Sequence, residues 1–387
     1  MLKHIDIKGY RSLKDVSLDM EPLNVLIGPN GGGKSNFMDV FALLNEASQG
    51  DLAEGFARRG GFASLAFGAS DSDGGDHLLL DLQLELDQDS VRKMLVRYHL
   101  HVMTWGVVLA EAVSLEGLRE PLVLLQRQPG ESTFTYLDES ESLPSKFKIG
   151  SPSELAIHKF RGLSTDPPCL VLDWLQALRV YPPLQVGAGS ELRRPQITRA
   201  GTRVYPKCAN AIAVLHAIRE NHPSVWDVIL EVLKVACLEL HHITFPPEGG
   251  DGRIILRWFE KPFDNEAGFS TEHLSDGIMR MLALVAILMT PDPPPLICID
   301  EPEIGLHPEL VELVAELLQS AATRTQVIVA THSPELVSKL KPNEVIVVEK
   351  EAGATVMERL SEEELAVWLD KFRLGDLWTS GHIGGRP

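Results

Sequence analysis

Apolar and polar residues alternate over the first twenty positions, with Leu2, Ile5 and Ile7 followed, past a turn expected at Gly9 and Tyr10-Arg11-Ser12, by Val16, Leu18 and Met20. A period of two marks half-buried strands. The short apolar run Leu23 to Ile27 predicts a third strand, and a helical pattern starts at Asn36-Phe37-Met38 and runs to about Ala47. Beyond the loop Arg58-Arg59-Gly60-Gly61, alternation returns at Leu78 to Leu86, Leu95 to Leu109 and Leu122 to Gln126, which predicts an antiparallel sheet. From about Ser151 the period lengthens to a helical one, at Leu170 to Leu178, Ala211 to Ile218 and Val225 to Leu238. The last third reads as α/β. A strand is expected at Ile254 to Trp258, a helix at Ile278 to Met289 and a buried strand at Leu296 to Asp300. Pro308 then opens an amphipathic helix with Leu310, Val314, Leu317 and Leu318 on one side, and Gln326 to Ala330 is a second buried strand. The pattern divides the chain at residues 1–150, an inserted helical lobe 151–245, 246–360 and a tail 361–387. The tail reads as extended and flexible, either a docking segment or a frayed end.

Composition narrows the class. The 387 residues are 44% hydrophobic and 23% charged, as in an ordinary globular protein, and 36 Lys and Arg against 54 Asp and Glu leave a net charge of −18. So acidic a chain repels phosphate backbones, and any nucleic-acid contact must come from a local basic patch. The candidate is Arg193-Arg194, Arg199, Arg203 and Lys207, a basic cluster that reads either as a solvated loop or as a contact for DNA or an effector. Cys169, Cys208, Cys237 and Cys298 lie far apart and read as reduced core residues. The charged N-terminus lacks a signal-peptide core, and the apolar stretch Met281 to Met289 is too short to span a bilayer, so a cytoplasmic chain without a membrane partner is expected. The acidic loop Asp71 to Asp76 lacks the closing Glu of a calcium loop and reads as a hairpin turn. His99 with His101, and His241 with His242, lack a third ligand and read as sheet residues.

Four short stretches carry chemistry. Gly28 to Ser35, GPNGGGKS, sits between a strand and a helix, the context of a phosphate-binding P-loop. Its glycines let backbone N–H groups of Asn30, Gly31, Gly32 and Gly33 turn toward one anion, Lys34 reaches the β- and γ-phosphates, and Ser35 holds Mg²⁺. Leu274-Ser275-Asp276-Gly277 opens a helix and offers a second anion site at Ser275 and Gly277. The strand Leu296 to Asp300 ends in Asp300 and Glu301, and adjacent carboxylates after a buried run imply a cation or a proton to manage. Asp300 suits Mg²⁺, and Glu301 suits orienting and deprotonating a water. His332 follows the last buried strand, at the sheet edge where ligands bind, and can hydrogen-bond the γ-phosphate or that water. In this order the four describe phosphoryl transfer from ATP to water.

The set GPNGGGKS, LSDG, CIDEPE and ATHSP resembles ABC-type ATPases of the SMC/RecF/OLD group. It is most similar to the stand-alone prokaryotic ATPases filed as AAA-type ATP-binding domains, which read EPExGLHP where this chain has Glu301 to Pro308. An Arg-rich insertion followed by Asn210-Ala211-Ile212-Ala213-Val214-Leu215 adds to the likeness. The resemblance implies a P-loop NTPase fold: an ABC-type ATPase head with an antiparallel β subdomain and an inserted helical lobe. It implies an ATP-dependent homodimer in which Ser275 of one head completes the loop site of the other. It also places an adenine contact at Tyr10 or Arg11 and Asn36 beside the nucleotide. The sequence departs from the pattern where LSDG lacks the second Gly and the Gln of LSGGQ, and where Gly305-Leu306-His307-Pro308 replaces the usual D-loop. Gln126 and Gln128 are the candidates for a Q-loop glutamine. The absence of a long coiled coil argues against a ring-forming SMC protein, and the short segment after His332 leaves no room for the nuclease domain of an OLD protein. Expected functions are an ATPase that drives or gates DNA maintenance or anti-phage defence, or a nucleotide-gated scaffold for a separately encoded nuclease or toxin.

Overall fold

The computed structural model describes all residues except 51, 62–63, 68–76, 88–92, 104–105, 138–142, 163–165, 199–200, 202, 262–266 and 386–387. The chain divides into two units. One comprises Met1–Leu178, Pro342–Leu365 and Gly381–Pro387; the other comprises Arg179–Lys341 and Ala366–Ser380. The helical stretch expected as a lobe of its own, 151–245, is therefore shared between the two units.

In the first unit an eight-stranded antiparallel sheet runs in the order β2 (Leu13–Asp19), β1 (Leu2–Tyr10), β4 (His77–Asp87), β5 (Lys93–Met103), β6 (Val107–Leu115), β7 (Leu122–Arg127), β8 (Thr133–Tyr136) and β9 (Ser145–Lys148). Alternation drives it: Leu78, Leu80, Leu82, Leu84 and Leu86 of β4 are buried while the residues between them are half-exposed. Each such Leu contributes about 1.5–3 kcal/mol. The stretch read as one strand over Leu95 to Leu109 is two, β5 and β6, turned at the positive-φ Gly106. The first hairpin turns at Arg11-Ser12 rather than Gly9, because Gly9 still lies within β1. His99 and His101 on β5 meet Asp81 and His77, and no metal-binding cluster of His, Cys, Asp and Glu occurs among the described residues. The acidic loop Asp71 to Asp76 lies outside them.

Also in this unit, β3 (Leu23–Ile27) is buried at every position and pairs in parallel with Val345–Glu351, which returns antiparallel as Ala354–Arg359. Helix α1 (Lys34–Gln49) leaves β3 through the glycine loop, and the short α2 (Leu52–Arg58) follows it. One face of α1, with Phe37, Phe41 and Leu44, is wholly buried. Its Asn45 amide donates to Leu175 O at 2.8 Å and Gln176 O at 3.1 Å, holding the end of α3 (Pro167–Ala177).

In the second unit, β10 (Arg179–Tyr181), Leu296–Asp300 and Gln326–Ala330 form a parallel sheet, with Asp300 opposite Ala330. Helices α4 (Ala211–Asn221) and α5 (Pro223–Ala236) precede α6 (Asp276–Leu288), whose residues Met279 to Leu288 are all buried. Helix α7 (Pro308–Ala322) starts at a proline, as its sequence requires, and α8 (Pro334–Val337) follows the last strand. The described part of the tail is helical rather than extended. Leu374–Thr379 is a helix with Leu374, Leu377 and Trp378 buried, and a Cβ at Gly375 would lie 2.1 Å from Pro334 O. A bulkier residue at 375 cannot fit against α8. No described helix is long and apolar enough to cross a membrane.

Candidate active site

In the first unit the loop after β3 is shaped from behind. A Cβ at Gly28 would lie 2.0 Å from Val348 O, and one at Gly33 2.1 Å from the Thr355 hydroxyl, so the C-terminal hairpin leaves no room for side chains there. Both glycines also have positive φ, 145° and 122°. A Cβ at Gly31 meets nothing within 4 Å, and Asn30 and Gly31 are exposed. The Thr355 hydroxyl donates to Gly32 O at 2.7 Å and lies 2.7 Å from Ser12 Oγ. Helix α1 has no side-chain cap at Gly33 and no acid in its first turn, which leaves its positive end available to an anion. Lys34, only 6% exposed, folds onto the loop and donates to Gly28 O at 2.6 Å and Pro29 O at 3.1 Å. Ser35 is exposed on the first turn of α1. An open cradle, an uncapped helix and an ammonium that can exchange carbonyls for phosphate fit a triphosphate, and a hydroxyl at Ser35 on the first turn of the helix suits Mg²⁺.

Tyr10 offers no surface to adenine in this arrangement, while Arg11 stays half-exposed. Tyr10 is 1% exposed, its hydroxyl donates to Asp39 at 2.7 Å, and burial followed by the Asp39 charge pushes its pKa well up. Arg11, at φ 48°, pairs with Asp39 at 3.0 Å and donates to Asn36 Oδ1 at 3.2 Å. Arg59 joins them, 2.9 Å from Asp39 and 2.9 Å from Glu46. The pair thus braces the first turns of α1. Asn36 is part of the same brace, donating to Ser12 Oγ at 2.7 Å. Of the glutamines, Gln126 lies within β7 opposite Ala112 and Gln128 just beyond that strand.

The second unit gathers the acids, the histidine and the serine turn. Asp300 ends its strand, and Glu301 then takes φ 49°, a left-handed conformation that is costly for a residue with a Cβ. Its N–H donates to Ala330 O at 2.8 Å, and its carboxylate lies 3.8 Å from His332 Nε2. Glu303 connects the two edges: its carboxylate accepts from Thr331 Oγ1 at 2.6 Å and from the His332 N–H at 3.0 Å. Burial, helped by the Glu301 charge, pushes the Glu303 pKa up, and its Oε2 is buried without a hydrogen-bond partner. Glu303 has no signal of its own in the sequence beyond its place in CIDEPE.

Ser275 caps α6, accepting from the Ile278 N–H at 3.3 Å, and is exposed. Gly277 lies beside Gly305, its Cβ position 3.6 Å from Gly305 O. Arg193, expected in a solvated basic cluster, is instead 7% exposed and holds this turn. It donates to Val186 O at 2.7 Å, to Thr271 O, to Leu274 O at 2.8 Å and to Asp276 Oδ1 at 2.6 Å, while Thr271 returns a bond to Arg193 O at 2.6 Å. Arg193 is therefore not a DNA contact. Arg194 and Lys207 are exposed, Arg203 is half-buried, and Arg199 lies outside the described residues.

Comparison with known proteins finds likenesses to ATPase domains. A family model described as "AAA domain, putative AbiEii toxin, Type IV TA system" matches residues 147–338, and one described as "AAA ATPase domain" matches residues 1–93. Over 44 residues the chain is 39% identical to an OLD nuclease of Thermus scotoductus, a match spanning 11% of this chain and 8% of that protein. Among solved structures, an Smc head bound to the C-winged helix domain of ScpA superposes with a TM-score of 0.56 at 14% identity, covering 94% of this chain and 99% of that one. An Smc head with an extended coiled coil, bound to the C-terminal domain of ScpA from Pyrococcus furiosus, gives 0.56 at 14% identity over 96% and 98%. At that identity the likeness is one of fold: a mixed α/β ABC-type ATPase head.

Proposed function

We propose, on the premise that this chain carries an ATPase head of the SMC/RecF/OLD type, that it binds ATP with Mg²⁺, dimerises around it and hydrolyses it to ADP and phosphate. The observation that carries the reading is the glycine loop: a buried Lys34 at the open, uncapped end of α1, with space only where Gly31 faces out. Lys34 and the loop amides bind the β- and γ-phosphates and offset the charge that builds on them. Ser35 and Asp300 would hold Mg²⁺, which would supply positive charge to offset that of the phosphates. Glu301 orients the attacking water and takes its proton, and His332, whose Nε2 lies 3.8 Å from that carboxylate, hydrogen-bonds the same water or the γ-phosphate. Glu303 acts through His332, since it holds that residue's backbone. Ser275 and Gly277 serve the γ-phosphate of a second copy.

Phosphate release with Lys34→Ala and Glu301→Gln tests the reading. Lys34→Ala should abolish ATP binding. Glu301→Gln should keep binding, lower turnover by roughly 10²- to 10⁴-fold and hold the chain as an ATP-bound dimer. The reading fails if neither substitution changes hydrolysis or nucleotide-dependent dimerisation. The cycle then drives or gates DNA maintenance or anti-phage defence in the cytoplasm. A second reading, a nucleotide-gated scaffold holding a separately encoded nuclease or toxin, is favoured by apolar side chains left exposed on and just after α5, with Val235 at 63% and Leu238 at 87%. It also has precedent in the Smc heads solved with ScpA domains.

A further inference from the structure

The second unit contains a cavity of about 830 Å³ whose walls include Arg194, Arg203, Arg253, Tyr205, Asn210 and Asp292. That volume lies in the range of small-molecule sites, roughly 300–1,000 Å³. The wall is built rather than accidental. Asn210 accepts from the Tyr205 N–H at 2.7 Å and donates to Arg203 O at 2.9 Å, stapling the segment 203–205 to the start of α4. The buried Gln196 accepts from the Ala213 N–H at 3.0 Å and fixes the same end of that helix.

Three arginines, Arg194, Arg203 and Arg253, line this space, and the ion pairs made by the last two hold them weakly. Arg203 meets Asp292 at 3.2 Å and Arg253 meets Asp251 at 3.0 Å, in pairs where the acids are 71% and 54% exposed. Exposed pairs of this kind contribute little and are readily exchanged for a phosphate, which a guanidinium grips with two parallel bonds. Tyr205, which also lines the cavity, leaves 47% of its surface exposed, so an aromatic side chain is at hand for stacking. Asp292 and Glu191 also line the cavity, so the wall is not uniformly basic. A bare polyanion would meet them unfavourably. A ligand with a phosphate at one end and a ring bearing amino donors at the other satisfies both signs of charge and the aromatic face.

We propose that this cavity binds a nucleoside phosphate, presented as one unit of a single-stranded nucleic acid or as a free nucleotide. The site belongs wholly to the second unit and is independent of the Gly28 to Ser35 loop. Its recognition rests on Arg194, Arg203 and Arg253 for the phosphate and Tyr205 and Asn210 for the base.

Fluorescence anisotropy of a labelled mixed-sequence decamer of single-stranded DNA, with the nucleotide-free full chain, tests this. The decamer should bind. The double substitution Arg194→Glu with Arg203→Glu should weaken it at least tenfold and flatten its salt dependence. Tyr205→Ala should weaken it roughly 5- to 100-fold, the range found when a base loses its stacking partner. Displacement of the decamer by nucleoside monophosphates assigns the site to free nucleotides as well, and failure to displace assigns it to the strand alone. The proposal is overturned if neither the decamer nor a monophosphate binds, or if the double variant binds both as tightly as the unaltered chain. Circular dichroism and ATP-analogue binding of the double variant are read in parallel. Both should be unchanged, because the altered side chains are exposed or half-buried and lie outside the loop site, so a failure here is distinct from a failure of the ATPase reading.

Discussion

Glu111 sits at the centre of the first unit's sheet with no exposure, accepting from Tyr98 and from the backbone of Ala156 and Ile157. Burial outweighs those bonds and the nearby Arg127 and pushes its pKa up from 4.5 to about 7. Below about pH 4.5 the group is protonated in both the folded and unfolded chain. As pH rises toward 7 the unfolded chain ionises first, so folding stability declines through that window, by roughly 3 kcal/mol in all. Glu111→Gln removes the titration. Denaturant unfolding of both proteins from pH 4.5 to 7.5 should show the variant gaining on the original as pH rises, and a difference that stays constant across the window would refute the assignment. Residues of this kind were hidden from the sequence. Lys34 and Glu301 stand in local motifs that can be read in a single window, whereas Glu111, Glu303 and Asp39 take their meaning from partners 28 to 46 residues away or from a neighbouring strand edge. Tyr10 was misleading for a related reason. Its place in a turn is legible, but the Asp39 that draws it inward is not.

At the scale of elements, the local periods held well where one face is buried and poorly where an element changes partners. The alternation of β4 and the continuous runs of the parallel strands are direct records of burial on one face and on two. The tail helix Leu374–Thr379 leaves no periodic signal because six residues are too few to show one, and its stability comes from Trp378 and from the close approach of Gly375 to α8. Arg193 is the reverse case, a basic residue whose neighbours in sequence suggest solvent but which ties the start of α6. Arg193→Met should cost about 3 kcal/mol of stability, since three carbonyls lose their donor. It should also loosen the Ser275 turn. ATP-analogue affinity of the isolated chain should stay within twofold while dimerisation and turnover fall tenfold or more, with Arg193→Lys recovering part of the loss. Equal losses in analogue affinity and turnover would mean that the arginine supports the fold only.

For the whole molecule, a charge of −18 makes self-association depend on what offsets it. If Ser275 serves the nucleotide of a second copy, Ser275→Arg should leave ATP binding intact yet prevent the dimer that Glu301→Gln accumulates. Sedimentation of the double variant with ATP should give a monomer, and a persistent dimer would place the contact elsewhere. The fold class was legible from the order of motifs. The division into units was not, because residues 342–365 and 381–387 return to the first unit, and long-range return leaves no mark on local composition.

The hydroxyl of Thr355 on Gly32 closes a span of 323 residues. During synthesis the glycine loop therefore leaves the ribosome long before the hairpin that backs it. At about 5–20 residues per second, roughly 16 to 65 seconds separate the two. Over that interval the nascent loop has its glycines and its lysine but no rear wall, and a ribosome-bound chain halted before Val345 should be unable to retain nucleotide until elongation resumes.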